Sequence, residues 1–360
     1  MSGNATASIK VYVDRFNPPS GVQPIVVARA TVTIPNETRT VGKTIEVTLR
    51  RRSKFTMGLV ARNTITFNGN NASVDSWNSD PDNDPLTDPI PFSEAVKRDN
   101  GSVGSASVAV ASIAVNNADI WGFASVGSSG ASGLTVGSNG TVAAFGRPQG
   151  TIDTTRIATD FTANFDPVSE PTSGTNIASV GATLGVVGTA NTYRFNGQIN
   201  GSLTVLGDVT LILTAGAGNS AIRLTGGGDG ITIPVGSTLT IYTASDITIA
   251  GNGVLNQNPQ PRSFQLWGTS TSAIAQEIGV RGNGSLSGIV YAPNASVTIN
   301  GNGAVLGSVV ANNIRLTGNA AFHYDESLAN FGSNNPYGVF RWRELTSVAD
   351  RAASASLLSF

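Results

Sequence analysis

The run Asp75-Ser76-Trp77-Asn78-Ser79-Asp80-Pro81-Asp82-Asn83-Asp84-Pro85, with Asp88 beyond it, concentrates acidic oxygens in one stretch. Calcium takes about six to eight oxygens, supplied by carboxylates that alternate along a flexible loop. Asp80, Asp82 and Asp84 have that alternation. The mid-loop Gly and distal Glu of an EF-hand are missing. Two readings stand: a calcium site on Asp80, Asp82 and Asp84, or a solvated acidic loop.

His323 is the chain's single histidine, set between Phe322 and Tyr324 and followed by Asp325-Glu326. One His cannot build a His-rich metal site, and no nucleophile motif accompanies it, so a structural role is expected. Glycoside chemistry needs two carboxylates placed together, or a metal beside a base. Asp208, Asp229 and Asp246 stand apart from one another, so no catalytic residues and no cofactor other than calcium are expected. Arg223, Arg281 and Arg315 recur at outward or turn positions, as a row for an anionic polymer or as plain solvated surface. The basic run Arg50-Arg51-Arg52-Ser53-Lys54 lacks interleaved aromatics and reads as a strand end, not a nucleic-acid site. Gly226-Gly227-Gly228-Asp229-Gly230 is followed by no Gly-Lys-Ser/Thr and is no phosphate loop.

These residues hang on a repeating six-residue phrase: apolar, polar, apolar, any residue, Gly, Asn. Ile247-Thr248-Ile249-Ala250-Gly251-Asn252 is one copy; others begin at Ile278, Val297 and Ile314, with looser ones at Leu203 and Ile222. A short strand ending in a fixed turn and recurring about every 20 residues signals a β-solenoid. The two apolar positions point inward and the residue between them points out. Gly gives the corner its backbone freedom, and Asn tolerates a left-handed turn. The phrase predicts one inner column of Ile247, Ile278, Val297 and Ile314, and a second of Ile249, Val280, Ile299 and Leu316.

Composition agrees. Of 360 residues, 42 are Gly and only 12% are charged, against about 25% in an ordinary domain. The dispersed Ile, Val, Leu and Phe argue against disorder. A net charge of −1 gives no general attraction to nucleic acid or an anionic membrane. Cysteine is absent, which excludes disulfides and thiolate chemistry. No stretch approaches the roughly 18 apolar residues of a membrane-spanning helix, and residues 1–4 carry no signal-peptide core.

Residues 1–54 read as a small antiparallel sheet, with alternating strands near Ser8–Val13, Ile25–Ile34 and Val41–Leu49 and turns at 17–21 and 35–36. The solenoid is expected over 55–345, with excursions at about 78–101 and 147–194. The second excursion is less periodic; crossing the outside of the rod is one course open to it, and the sequence does not fix its path. The phrase returns early, at Ile65-Thr66-Phe67-Asn68-Gly69-Asn70. Its lead-in Gly58-Leu59-Val60-Ala61-Arg62-Asn63 matches Gly307-Ser308-Val309-Val310-Ala311-Asn312. Ser107–Val115 reads as a further coil strand. An open solenoid end must be capped. Phe322, His323, Tyr324, Phe331, Tyr337, Phe340 and Trp342 are the expected cap, with 346–360 a capping helix or a tail. The fold class is all-β: a right-handed parallel β-solenoid with an N-terminal antiparallel sheet and a C-terminal cap.

The run from Gly288-Ile289-Val290-Tyr291-Ala292-Pro293-Asn294-Ala295 through the Gly-Asn turns to Phe322-His323-Tyr324-Asp325-Glu326-Ser327-Leu328 resembles the uncharacterised C-terminal solenoid domain of bacterial surface proteins grouped with PilX-like type IV pilus assembly proteins. The resemblance covers about residues 195–345. It implies an exported, non-enzymatic role among pilus or envelope components, and brings no catalytic residues. The leading expectation is a structural or adhesive cell-surface protein, monomeric in isolation, touching surface polysaccharide but not nucleic acid. The alternatives are a cytoplasmic bactofilin-like polymer and a β-helix carbohydrate-active enzyme.

Overall fold

The computed structural model describes residues 5–14, 24–34, 41–51, 53–69, 71–215, 219–271, 276–282, 286–301, 304–332 and 337–359. The expected turns at 17–21 and 35–36, Arg52, and the corner residues Asn70, Asn283 and Asn302 lie outside them, as does the side chain of Phe340. The chain forms two compact units, 54–331 and 1–53 with 332–360.

The larger unit is a stack of parallel β-coils, a β-helix-like architecture. Each full coil contributes to three walls. Wall A holds the inward column Leu203, Ile231, Val254, Leu286, Val305, Phe322, Val74, Ile120 and Val142, each paired with the next. Wall B holds Leu211, Ile241, Leu266, Val290, Val309, Leu59, Val103 and Ala124. Wall C holds Ile222, Ile247, Ile278, Val297, Ile314, Ile65, Ile113 and Leu134. Leu224, Ile249, Val280, Ile299, Leu316 and Phe67 run beside the third column. Both columns expected from the six-residue phrase are therefore present, in the expected register. Nearly all of these side chains are buried, and each fully buried Val, Leu or Ile contributes about 1.5–3 kcal/mol.

Chain order and stacking order differ. The strand Leu59–Phe67 does not begin the stack: it pairs with 309–316 in Ala304–Gly318. The next coil is composite, with Ala321–Asp325 on wall A and Leu59–Phe67 on walls B and C. Residues 73–143 add further coils beyond it. The chain then returns as an irregular strap, 159–174, and starts the opposite end with Thr175–Ile177 and Thr183–Phe195. The strap lies on wall B. Lys54 pairs with Asp166 of the strap, Arg62 donates to the Phe165 carbonyl at 3.3 Å, and the Tyr291 hydroxyl donates to the Asp166 carbonyl at 3.0 Å. Phe161, Phe165 and Val168 pack on the core from outside. Of the excursion read over 147–194, only 159–174 runs outside the stack, whereas Ile157–Ala158 and Thr183–Phe195 are strands within it. Ser107–Val115 differs from expectation. Only Ile113–Ala114 is strand, and Val108 is 77% exposed, because Ala111 turns the chain with φ 55°.

The corner glycines serve two purposes. Gly251 and Gly318 take φ of 57° and 76°, the left-handed region expected of them. Gly69 shows the other: a Cβ there would sit 1.8 Å from the Gly318 carbonyl oxygen. Of the described corner asparagines, Asn116 is left-handed with φ 48°, whereas Asn252 and Asn319 are not. Asn252 and Asn319 donate their amides to the carbonyls of Asp229 and Gly301 at 3.0 Å each. Other asparagines, with Asn319 as an acceptor, build side-chain ladders that tie early coils to late ones. Asn63 donates to Asn312 Oδ1 at 2.8 Å and Asn71 to Asn319 Oδ1 at 3.1 Å, with Thr64 on Asn313 Oδ1 at 2.9 Å.

In the smaller unit Thr6–Asp14, Ile25–Thr33, Val41–Arg51 and Tyr337–Glu344 form a four-stranded antiparallel sheet. The helix Val348–Ala355 is capped by Ser347, whose hydroxyl accepts from the Asp350 amide. Arg343 clasps Glu46 through Nε at 2.7 Å and Nη2 at 3.1 Å. Its hydrogen bond and charge hold the Glu46 carboxyl below its ordinary pKa.

The expected C-terminal cap is corrected here. Phe322 and Tyr324 sit inside the stack, between 304–307 and 73–77, and seal no end. Tyr337 and Trp342 belong to the antiparallel sheet, paired with Arg51 and Val47. The solenoid unit thus stops at 331, not 345. Aromatic clustering marked these residues as packed but could not say against what.

Gly69→Ala is expected to lower the melting temperature by several degrees, because the added methyl collides with backbone where early and late coils join. Gly227→Ala, with nothing within 4 Å of its Cβ position, is the matched control and should melt like the parent.

Candidate functional site

Register brings together one buried polar cluster on the outside of wall A. His323 pairs with Asp75 across the coil boundary, and its Nδ1 lies 2.5 Å from Asp75 Oδ1. Both alternate with inward residues, so both face out, yet they are 4% and 1% exposed. The excursion 78–100 covers them. Phe92 stacks on the His323 ring at 3.9 Å and meets Trp77 edge-on at 5.4 Å. Lys97 reaches Asp75 Oδ2 at 3.2 Å and Glu94 at 2.9 Å. Burial alone would lower the Lys97 pKa, but its hydrogen bonds and charge pairing with the two carboxylates outweigh that and raise it.

A second knot holds the start and end of the excursion. Ser79 donates its amide to Asp325 Oδ1 at 3.0 Å and its hydroxyl to Oδ2 at 2.7 Å. Burial nonetheless raises the Asp325 pKa. Glu326 accepts from Ser76 Oγ at 2.8 Å and Asn100 Nδ2 at 3.0 Å, and pairs with Arg98 at 3.2 Å. The chemistry-bearing groups here are spent on fastening one loop to the wall. Sequence reasoning gave His323 a structural role without finding Asp75. The repeat pointed only near it: the lead-in match of Asn63 with Asn312, carried forward, sets residue 75 beside 324, and the pairing on wall A is shifted by one residue.

The three candidate calcium ligands lie in one loop whose side chains take up backbone amides. The Asp80 amide donates to Asn78 Oδ1 at 3.0 Å, the Asp84 amide to Asp82 Oδ1 at 3.3 Å and the Leu86 amide to Asp84 Oδ1 at 3.0 Å. These are Asx turns, in which a carboxylate caps its own loop. The Asp84 amide and the Thr87 hydroxyl hold the Asp82 carboxyl below its ordinary pKa. Among the described residues no three His, Cys, Asp or Glu side chains gather as a metal site.

Wall C differs from the other two. The strap lies on B and the excursion on part of A, whereas wall C presents its outward side chains in register. One outward column runs Arg223, Thr248, Gly279, Thr298, Arg315, Thr66, Ala114, Thr135. Arg223, Arg281 and Arg315 are all exposed.

A family described as a domain of unknown function (DUF7305) matches residues 179–331, less than half of the chain. No curated protein matches significantly. Among solved structures, the chain is similar to an ice-binding protein DUF3494 domain from Shewanella frigidimarina, at 14% identity over 76% of this chain and 95% of that one, with a TM-score of 0.32. It is also similar to the competence-associated pilin ComZ from Thermus thermophilus, at 12% identity over 94% and 84%, with a TM-score of 0.27. Likenesses this low carry no argument about function.

Asp75→Ala should destabilise the solenoid unit by about 3–5 kcal/mol, the cost of stranding a buried partner, read by chemical denaturation. Asp84→Ala, on the exposed loop, should cost under about 0.5 kcal/mol. Chelator and millimolar calcium should give the same melting temperature; a drop on chelation would reinstate a bound ion by mass action.

Proposed function

We propose that this protein is a non-enzymatic structural or adhesive protein of the bacterial cell surface, presenting a β-solenoid wall. The observation that supports it is wall C: a regular outward face built by coils from both ends of the chain. Such walls serve as extended binding surfaces. The groups with the best claim to chemistry, Asp75 and His323, are covered and paired. The resemblance to PilX-like surface proteins supports export and pilus or envelope partners, and the coils are read as winding right-handed. Among the described residues no helix is long and apolar enough to cross a membrane.

An end-to-end polymer is the second reading. It rests on the terminal strand Thr183–Phe195, where Val186 and Val187 are 61% and 74% exposed beside a register break. Open strand ends of this kind pair with other chains.

Incubation with pectin, alginate and glucan should release no new reducing ends or unsaturated products, and light scattering should report a monomer. Turnover would replace the display reading with an enzyme. Filaments that Val186→Asp/Val187→Asp abolishes would replace it with a polymer.

A further inference from the structure

We propose that wall C is the docking face for a linear acidic polysaccharide, held by Arg223, Arg281 and Arg315. This rests on the display reading and names the ligand class for it. Arg223 and Arg315 stand in one outward column, four coils apart. Arg281 belongs to the coil midway between them, two residues beyond the column. Its side chain folds back over Gly279, where its Nε lies 3.0 Å from the position a Cβ would take. The glycine leaves space that the guanidinium occupies. Three arginines thus recur on every second coil, their backbone positions about 10 Å apart along the stack, twice the strand spacing of about 4.8 Å, and with the Asn68 amide turned to accept, Arg315 Nη2 lies 2.9 Å from it. Thr248 and Thr298 stand on the coils between, offering hydroxyls.

The pattern selects among polyanions. Duplex DNA carries a charge about every 1.7 Å, far denser than this row. Single-stranded nucleic acid is held by stacking on aromatic rings, and the outward column Arg223 to Thr135 contains none. A saccharide chain with one carboxylate or sulfate per disaccharide suits sparse, regular guanidinium groups, which grip planar anions through paired N–H donors. Two acids border the row. Asp246 and Glu277 sit one outward position earlier on their strands, and the Asp246 side chain accepts the Glu277 amide at 2.8 Å. Burial and the Asp246 charge raise the Glu277 pKa, and the Arg281 charge opposes them. The acids lie to one side of the outward column that carries Arg223, Thr248, Thr298 and Arg315.

Binding of the intact chain to hyaluronan, with one carboxylate per disaccharide, would be measured by biolayer interferometry at low and high ionic strength. Dextran and an oligo-dT strand are the neutral and nucleic-acid probes. The wild type should bind hyaluronan at low ionic strength, lose it as salt rises, and ignore dextran. Arg223→Gln/Arg281→Gln/Arg315→Gln should bind about tenfold more weakly or worse with an unchanged melting curve. Thr248→Arg/Arg281→Thr keeps the net charge but breaks the alternate-coil spacing, and should bind less well than the parent. No hyaluronan binding by the wild type, full binding by the triple variant, parental binding by the rearranged variant, or tighter binding to oligo-dT would each overturn the proposal. None of these results alters turnover or mass in solution, which test the display reading separately.

Discussion

The structure depends on in-register stacking between chain segments far apart in sequence. A single β-coil cannot bury its inner face alone; it needs a neighbour above and below. At the centre of this stack the neighbour of Ala304–Gly318 is Leu59–Phe67 on walls B and C and Ala321–Asp325 on wall A. One coil is therefore assembled from two distant stretches. The Asn and Thr ladders across the joint, and the glycine that allows the backbones to approach, keep that coil in line with its neighbours. If the joint slipped by one residue, every inward side chain beyond it would turn outward.

The non-repeating segments follow from this arrangement. A chain that begins in mid-stack, runs to one end and must restart at the other has to travel back along the outside. The strap does so over wall B, where Tyr242, Trp267 and Tyr291 project outward in one column and contact one another. The ring of Phe55, at the start of the unit, packs on Trp267, Tyr291 and Phe331, at its end. Gly104 keeps the wall low where the Phe161 ring lies on it. The excursion 78–100 likewise uses the buried His323–Asp75–Lys97 cluster as its anchor. Charge is scarce in this chain, and much of it near these two segments fastens irregular chain to regular wall.

What could be read in advance was whatever repeats. The inner columns from Ile247 to Ile314 followed from a phrase whose period matches strand geometry, and the early copy at Ile65 joined the same column. What could not be read was pairing without repetition. Tyr337–Glu344 lies beside Val41–Arg51, and neither strand carries a pattern that names its partner. Trp342 and Tyr337 therefore looked like a cap for the nearest open end. The acidic loop left two readings open for a different reason. Alternating Asp residues serve a cation and a tight turn equally well, and here Asp82 and Asp84 serve the turn.

The stacking order also has a temporal side. Asn63 and Asn312, partners across the joint, are 249 residues apart. At about 5–20 residues per second, a ribosome makes the second roughly 12–50 s after the first. Through that interval the early coils present an unpaired apolar edge, the kind of surface that draws other chains. Contacts this distant in sequence are also slow to form once the chain is complete. The same joint that makes the finished stack continuous makes the nascent chain dependent on protection while it waits.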